Sequence, residues 1–271
     1  MALRLRAGIG LTEQAIGATL APPSSPPWTP LALPGLALWL AADGTGALRD
    51  DSGGGAYTGP LHLAPSPEGT WFLSQWDDIS GQGRHATQPT AVHQPEFVPS
   101  ALAGYPAIRF DGALSALALP SLSSLTEGEI FIVLRLRNDP PADAARSGLW
   151  TLGTDAAAGV RYPDTDGVIR DGFGATDRKA TVDPAASLAQ AHVYNVVSKP
   201  GGWTSRLNGV QLFTTATNTV GFPTAPTLGE SLDGVHLDGD VHEVLLCDPL
   251  DAATGTQTLQ YLAGKYGIAL A

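Results

Sequence analysis

The sequence predicts an all-β fold: an antiparallel jelly-roll β-sandwich with a short C-terminal helix and an extended N-terminal arm. Three observations carry this reading. Short apolar runs rich in β-branched and aromatic residues recur along the chain, as half-buried strands require. Asp-Gly or Asn-Gly pairs punctuate them at Asp166-Gly167, Asp171-Gly172, Asn208-Gly209, Asp233-Gly234 and Asp238-Gly239, and such pairs tolerate the positive φ of tight hairpins. Glycine and proline number 32 and 22 among 271 residues. That is above the usual share of about 12% and below the roughly 25–30% of low-complexity chains, so many turns are expected around a real core.

In chain order, residues 1–35 form the arm and 36–271 the body. Six prolines lie between Ala21 and Gly35, which favours an extended polyproline path and offers no core. Arg4, Arg6 and Glu13 give the arm a charge of +1 and leave −12 of the net −11 to the body. Arg4, Arg6 and Trp28 are the expected docking residues for a partner, because an indole set among prolines is an efficient anchor. In the body, Leu36–Ala41 opens as a strand, Pro106–Asp111 precedes a turn at Gly112, and Glu129–Arg137 is the strongest strand. Further strands are expected at Leu149–Leu152, Val160–Tyr162, Val168–Phe173, His192–Ser198, Thr204–Leu207, Val210–Thr214 and Val241–Cys247. Leu259, Leu262, Ala263 and Tyr266 fall at helical spacing, which predicts a helix over 251–266 with Gly267 as its stop.

Composition excludes several classes. Against 26 acidic residues there are only 15 basic ones, a balance unsuited to general nucleic-acid binding through phosphates. One cysteine, Cys247, rules out an internal disulfide or a multi-thiolate metal site. Thr12, Glu13 and Gln14 interrupt the apolar stretch that a signal peptide needs, and no run approaches the length of a membrane span. The expectation is a protein made in a cytoplasm and not exported by the ordinary route.

Several motifs have local physical roles. Asp78 with Ser80-Gly81 can close a loop by accepting from backbone N–H groups, and Asp111 before Gly112 can do the same. Trp76 is expected to plug the core. Glu243, read as facing the same way as Val241 and Leu245, is expected to be a partly buried carboxylate that needs a partner, with Arg109 the candidate.

These elements, in this order, resemble the concanavalin A-like jelly-roll superfamily in its laminin G-like branch, found in bacterial and phage surface proteins. The matching pieces are Leu38–Asp43, the Trp76–Gln88 loop, Pro106–Gly112, Gly128–Leu136, Leu237–Asp248 and Tyr261–Gly267. The likeness covers about residues 36–268 and identifies a fold rather than a function.

For chemistry the sequence offers little. Glycosidases need two carboxylates flanking a bond, and enzymes of the resembled superfamily carry Glu-x-Asp-x-Glu on one strand face. Here Glu127 and Glu129 are two apart, but apolar strand follows and no third acid appears, so glycoside hydrolysis is not expected. No Gly-x-Ser-x-Gly elbow or phosphate loop occurs, and Cys247 in an apolar strand reads as an inert thiol. Asp164, Asp166 and Asp171 are candidate calcium ligands, as hard oxygens in one loop, although hairpin turns explain them as well. His236, Asp238, Asp240 and His242 alternate, with Asp-Gly-Asp read as a turn. Trp71, Tyr162, Phe173 and Trp203, with Arg206 nearby, are the candidate glycan-binding residues, Trp203 being the foremost for exposure.

Taken together, these readings predict a non-enzymatic bacteriophage virion protein: a capsid decoration, head spike or tail-fibre component at the virion surface. The arm would anchor it to other virion proteins. The body would bind host surface glycans, with no nucleic acid, no membrane span, no cofactor beyond calcium, and room for homo-oligomers. A free-standing lectin is the alternative, with a glycan-cleaving enzyme third.

Overall fold

The computed structural model describes residues 28–43, 49–50, 61–66, 69–141 and 143–270. Arg4 and Arg6, expected to dock a partner, lie outside the described residues, as does most of the arm. The strands run in chain order as β1 (Leu38–Ala41), β2 (Arg49–Asp50), β3 (Leu61–Pro65), β4 (Trp71–Trp76), β5 (Ala86–Thr87), β6 (Glu96–Leu102), β7 (Tyr105–Asp111), β8 (Leu117–Ala118) and β9 (Gly128–Leu136). The second half supplies β10 (Trp150–Thr151), β11 (Arg170–Asp171), β12 (Lys179–Ala180), β13 (His192–Lys199), β14 (Gly202–Leu207), β15 (Val210–Thr215), β16 (Thr227–Leu228) and β17 (Asp238–Cys247). A single α-helix among the described residues, α1 (Ala252–Tyr266), follows.

The fold is all-β and antiparallel, with one C-terminal helix. The sheet runs β10-β16-β8-β5-β4-β6-β7-β17-β9-β13-β14-β15, with β1 added to β17 and β3 to β4. Only β2 with β3 pairs in parallel among the named strands. Side chains from both ends of this path, such as Trp150 and Leu228 at one and Tyr194 and Trp203 at the other, join one buried cluster. The sheet therefore folds over on itself, and its inner faces make the sandwich core.

Alternation along the central strands sorts the residues. Ile130, Ile132, Leu134 and Leu136 of β9 enter that core, while Phe131 and Val133 join a second cluster under α1. In β17 the register shifts between Val241 and Glu243, so Val241 and Val244 both face the core, whereas Leu245 and Cys247 face the helix. The expectation that Val241 and Glu243 share a face is thus corrected, because the bulge inserts His242 and inverts the alternation.

Helix α1 is held by both packing and charge. Asp251 caps it through Thr254 N–H at 2.8 Å, and Gly267 ends it at φ 66°. Leu262 and Tyr266 bury against β9, β13 and β17. Glu243 is fully buried and accepts from Lys265 Nζ at 2.7 Å, Tyr266 OH at 2.9 Å and Trp39 Nε1 at 2.8 Å. Burial pushes its carboxyl above the usual range despite the opposing Lys265 charge. The expected partner, Arg109, instead grips Asp240 at 2.7 and 3.1 Å, together with Arg135 at 3.0 and 2.8 Å. The regular β17–β7 register explains the exchange by setting Asp240, not Glu243, opposite Arg109.

Trp28 is half-buried in an edge-on stack with Tyr261 of α1, centroids 5.2 Å apart. The indole expected to anchor a partner protein is here engaged by this chain's own helix. Leu33 and Leu36 share that cluster, so the described end of the arm packs on the body. Asp78 behaves as the sequence indicates, accepting from Trp39 N, Ser80 N and Arg84 N at 2.9–3.0 Å. Asp111 likewise gathers the N–H groups of Ala113, Leu114 and Ser115. Asp238-Gly239, read as a turn, begins β17 instead. No helix among the described residues is long and apolar enough to cross a membrane.

Candidate functional site

The aromatic residues expected to stack on sugars do not form a site. Tyr162, Phe173 and Trp203 are fully buried, because even-numbered positions of β13 and the inner face of β14 draw loop residues 160–175 into the sandwich. Trp203 donates to the Phe173 carbonyl at 3.0 Å. Tyr162 OH meets His192 Nε2 at 2.8 Å, and burial pushes the imidazole down to about 4, leaving it neutral. These three residues are corrected from glycan platforms to core. Trp71 is half-buried against the main core and apart from Arg206.

The calcium expectation is corrected as well. Arg170 occupies Asp164 at 2.9 Å and Asp166 at 2.9 and 2.6 Å. Asp171 points the other way into the core, accepting from Trp150 Nε1 at 2.9 Å, Tyr194 OH at 3.0 Å and Phe173 N at 3.0 Å. A guanidinium therefore takes the first two carboxylates and the aromatic core takes the third. The alternating His236, Asp238, Asp240 and His242 likewise disperse: Asp240 is clamped by arginines, and Asp238 meets Arg137 and Arg146.

Arg206 lines a cavity, in company the sequence did not indicate. This cavity of about 240 Å³ opens between the helix-covered face of β9, β13 and β14 and the first turns of α1. Glu129 and Phe131 of β9, Asn195 of β13 and Arg206 of β14 form one wall, and the cap Asp251 with Gly255 and Thr256 of α1 the other. Register places them together: Asn195 lies opposite both Phe131 and Arg206.

Glu129 is the chemical centre. It is buried at 4% exposure, with Oε1 accepting from Asn195 Nδ2 at 2.9 Å and Oε2 from Leu250 N at 2.8 Å. Burial raises its pKa, against the pull of those two donors and of the Arg206 and Lys199 charges. Asp251 is exposed at the rim and shifted the opposite way, chiefly by the Thr254 N–H it caps. Asn195 links the polar groups, accepting from Arg206 Nη1 at 3.2 Å through Oδ1 while donating to Glu129. One cavity is therefore lined by a carboxyl whose pKa burial raises, a carboxyl whose pKa is lowered, and a guanidinium. A wider groove of about 390 Å³ at Gln75, His85 and Thr87 is more open and has no buried ionisable group along it.

The sequence showed Glu129 but gave no reason to choose it. The available signal was an acid on the outward register of an otherwise apolar strand, together with Asp251 at a helix start. Neither showed that the helix would leave a cavity over the acid.

No family model matches the chain, and the search of curated proteins finds no match. Solved structures do resemble it. A GH54 α-l-arabinofuranosidase soaked with 4-nitrophenyl α-l-arabinofuranoside aligns with a TM-score of 0.55 at 13% identity, over 83% of this chain and 62% of that one. A Trypanosoma rangeli sialidase in complex with 2,3-difluoro-KDN aligns with a TM-score of 0.53 at 14% identity, over 90% of this chain and 36% of that one. An arabinofuranosidase complexed with arabinofuranosyl-α-1,2-xylobiose gives 0.50 at 13% identity, over 84% of this chain and 58% of that one. The chain thus spans less than two thirds of each of these proteins, and at such identities the likeness is one of fold. It overturns two expectations, that the chain is a non-enzymatic virion component and that it is no enzyme, because the fold it shares here is carried by glycosidases.

Proposed function

We propose that the chain acts on carbohydrate as a glycan-cleaving enzyme, with Glu129 as its proton donor. The observation that carries this reading is the pair of carboxyl groups in one cavity with pKa values driven apart, that of Glu129 raised and that of Asp251 lowered. That split is how two chemically similar groups divide the acid and the charge-stabilising roles of glycoside hydrolysis. Glu129 gives its proton to the glycosidic oxygen as the bond to the anomeric carbon breaks. Asp251 remains ionised and opposes the positive charge on that carbon. Water then adds to the carbon and returns a proton to Glu129, restoring the acid. The fold likeness to an arabinofuranosidase and a sialidase supports the same class of chemistry. The cavity, at about 240 Å³, lies below the range of about 300–1,000 Å³ typical of drug-sized ligands, which suits a single sugar ring at a chain end.

The test is release of reducing ends or 4-nitrophenol from a panel of glycans and aryl glycosides. Positioned general acids contribute about 10²–10⁴ in rate, so Glu129→Gln should lose activity by that factor. Sugar binding by the intact chain with no turnover on any substrate would sink the enzymatic reading. So would a Glu129→Gln variant that stays fully active.

A further inference from the structure

We infer that the sugar taken by this cavity carries a carboxylate, as a uronic or sialic acid does, and that Arg206 holds it. This rests on the reading that the cavity receives carbohydrate, and it adds which carbohydrate.

Arg206 lines the cavity, half-exposed, and among the described residues its guanidinium makes one hydrogen bond, from Nη1 to the neutral Asn195 amide at 3.2 Å. Arg161 and Arg170, by contrast, are held by acids, while Arg84 and Arg178 bond backbone carbonyls. Arg161 forks onto Asp233 at 3.1 and 2.6 Å, and Arg170 onto Asp166 at 2.9 and 2.6 Å. Glu129 shares the wall with Arg206 without a hydrogen bond to it, its oxygens accepting from Asn195 and Leu250. The guanidinium thus has no hydrogen-bonded acid among the described residues and borders a cavity sized for one ring.

The arrangement is also fixed in place. Asn195 donates to Glu129 and to the Ile130 carbonyl while accepting from Arg206, so one buried amide sets the guanidinium relative to the proton donor. A planar fork positioned in this way matches a carboxylate with two parallel bonds, a geometry that a neutral hydroxymethyl group cannot reproduce. Asp251 does not compete for it, since its oxygens accept from Thr254 N and Oγ1 at 2.8 and 3.1 Å. The chain as a whole carries a net charge of −11 and does not favour anions at long range. Any preference for an acidic sugar therefore depends on Arg206 itself.

Binding of D-glucuronic acid, N-acetylneuraminic acid and D-glucose to the full chain, measured by calorimetry, separates this inference from hydrolysis, because none of the three has a glycosidic bond to cleave. At least one acid should bind about tenfold or more tightly than glucose, the size of a charge-assisted hydrogen bond, and which acid does so identifies the ring. Arg206→Gln should bring acid and glucose to the same affinity, with an unchanged melting temperature showing that the fold is intact. Arg206→Lys should recover part of the preference, as a charge without the fork. Equal binding of acids and glucose by the unmodified chain would overturn the inference while leaving the proposed hydrolysis standing. Preference for acids that persists in Arg206→Gln, or no binding of either acid, would overturn it too.

Discussion

Replacing Lys265 by methionine removes the cation facing a carboxylate with no access to water. Glu243 is 0% exposed, and Lys265 Nζ sits 2.7 Å from its Oε2. After the change Glu243 keeps only the neutral donors Tyr266 OH at 2.9 Å and Trp39 Nε1 at 2.8 Å. Breaking a buried pair from one side costs about 3–5 kcal/mol, because the surviving charge stays desolvated. For a domain of this size that is a drop in melting temperature on the order of 10 °C. The pH dependence follows from the carboxyl group. Its folded pKa is already raised by burial and rises further without lysine, while the unfolded value stays near the ordinary 4.5. The folded state then binds more protons, so stability is fully present below about pH 4.5 and is lost as pH rises through the folded value. Lys265, itself raised by Glu243 and Asp43 against desolvation, stays charged throughout that window. Urea unfolding at pH 7.5 and at pH 4.5 measures the effect, and the deficit of Lys265→Met should shrink at the lower pH. Adding Glu243→Gln to Lys265→Met should restore most of the loss. A deficit under about 1 kcal/mol at pH 7.5, or a double variant no better than the single, would refute the assignment of this pair as the clamp on α1.

Three further outcomes are expected. The pH–rate profile on any substrate cleaved should be bell-shaped, with its alkaline limb above the ordinary glutamate value of 4.5 and its acidic limb below the ordinary aspartate value of 3.8, because Glu129 must hold its proton and Asp251 must have lost its own. A single sigmoid centred on 4.5 would exclude that division of roles. Trp76→Ala should cost about 3–5 kcal/mol in urea denaturation, since the ring is fully buried in the main core, and an unchanged midpoint would contradict its place there. Asp78→Ala leaves Trp39 N, Ser80 N and Arg84 N without their acceptor. A loss of about 3 kcal/mol, and faster hydrogen exchange confined to those amides and their neighbours, are expected.

The sequence by itself determined the fold class, because strand periodicity, turn pairs and caps are local. Gly128–Leu136, His192–Lys199 and α1 appear where their patterns put them. Asn208 and Gly209 take φ 49° and 88° in the expected turn, and Asp78 and Asp111 bind backbone within their own loops. Strands β3, β4 and β6 escaped notice because Pro65, Pro99 and register shifts break their alternation. Exposure and partnership were decided only by the tertiary structure. Nothing local tells Trp203, drawn to the inner face of β14 and fully buried, from an indole at a surface turn. The β7–β17 register gave Arg109 to Asp240 and not to Glu243, a choice made by pairing between strands more than a hundred residues apart. Glu129, Asn195, Arg206 and Asp251 come from four separate segments and meet only because α1 packs across three strands and leaves space at its first turns. The raised pKa of Glu129 comes from the desolvation of that packing, a property the residue has in the folded chain and lacks in the sequence.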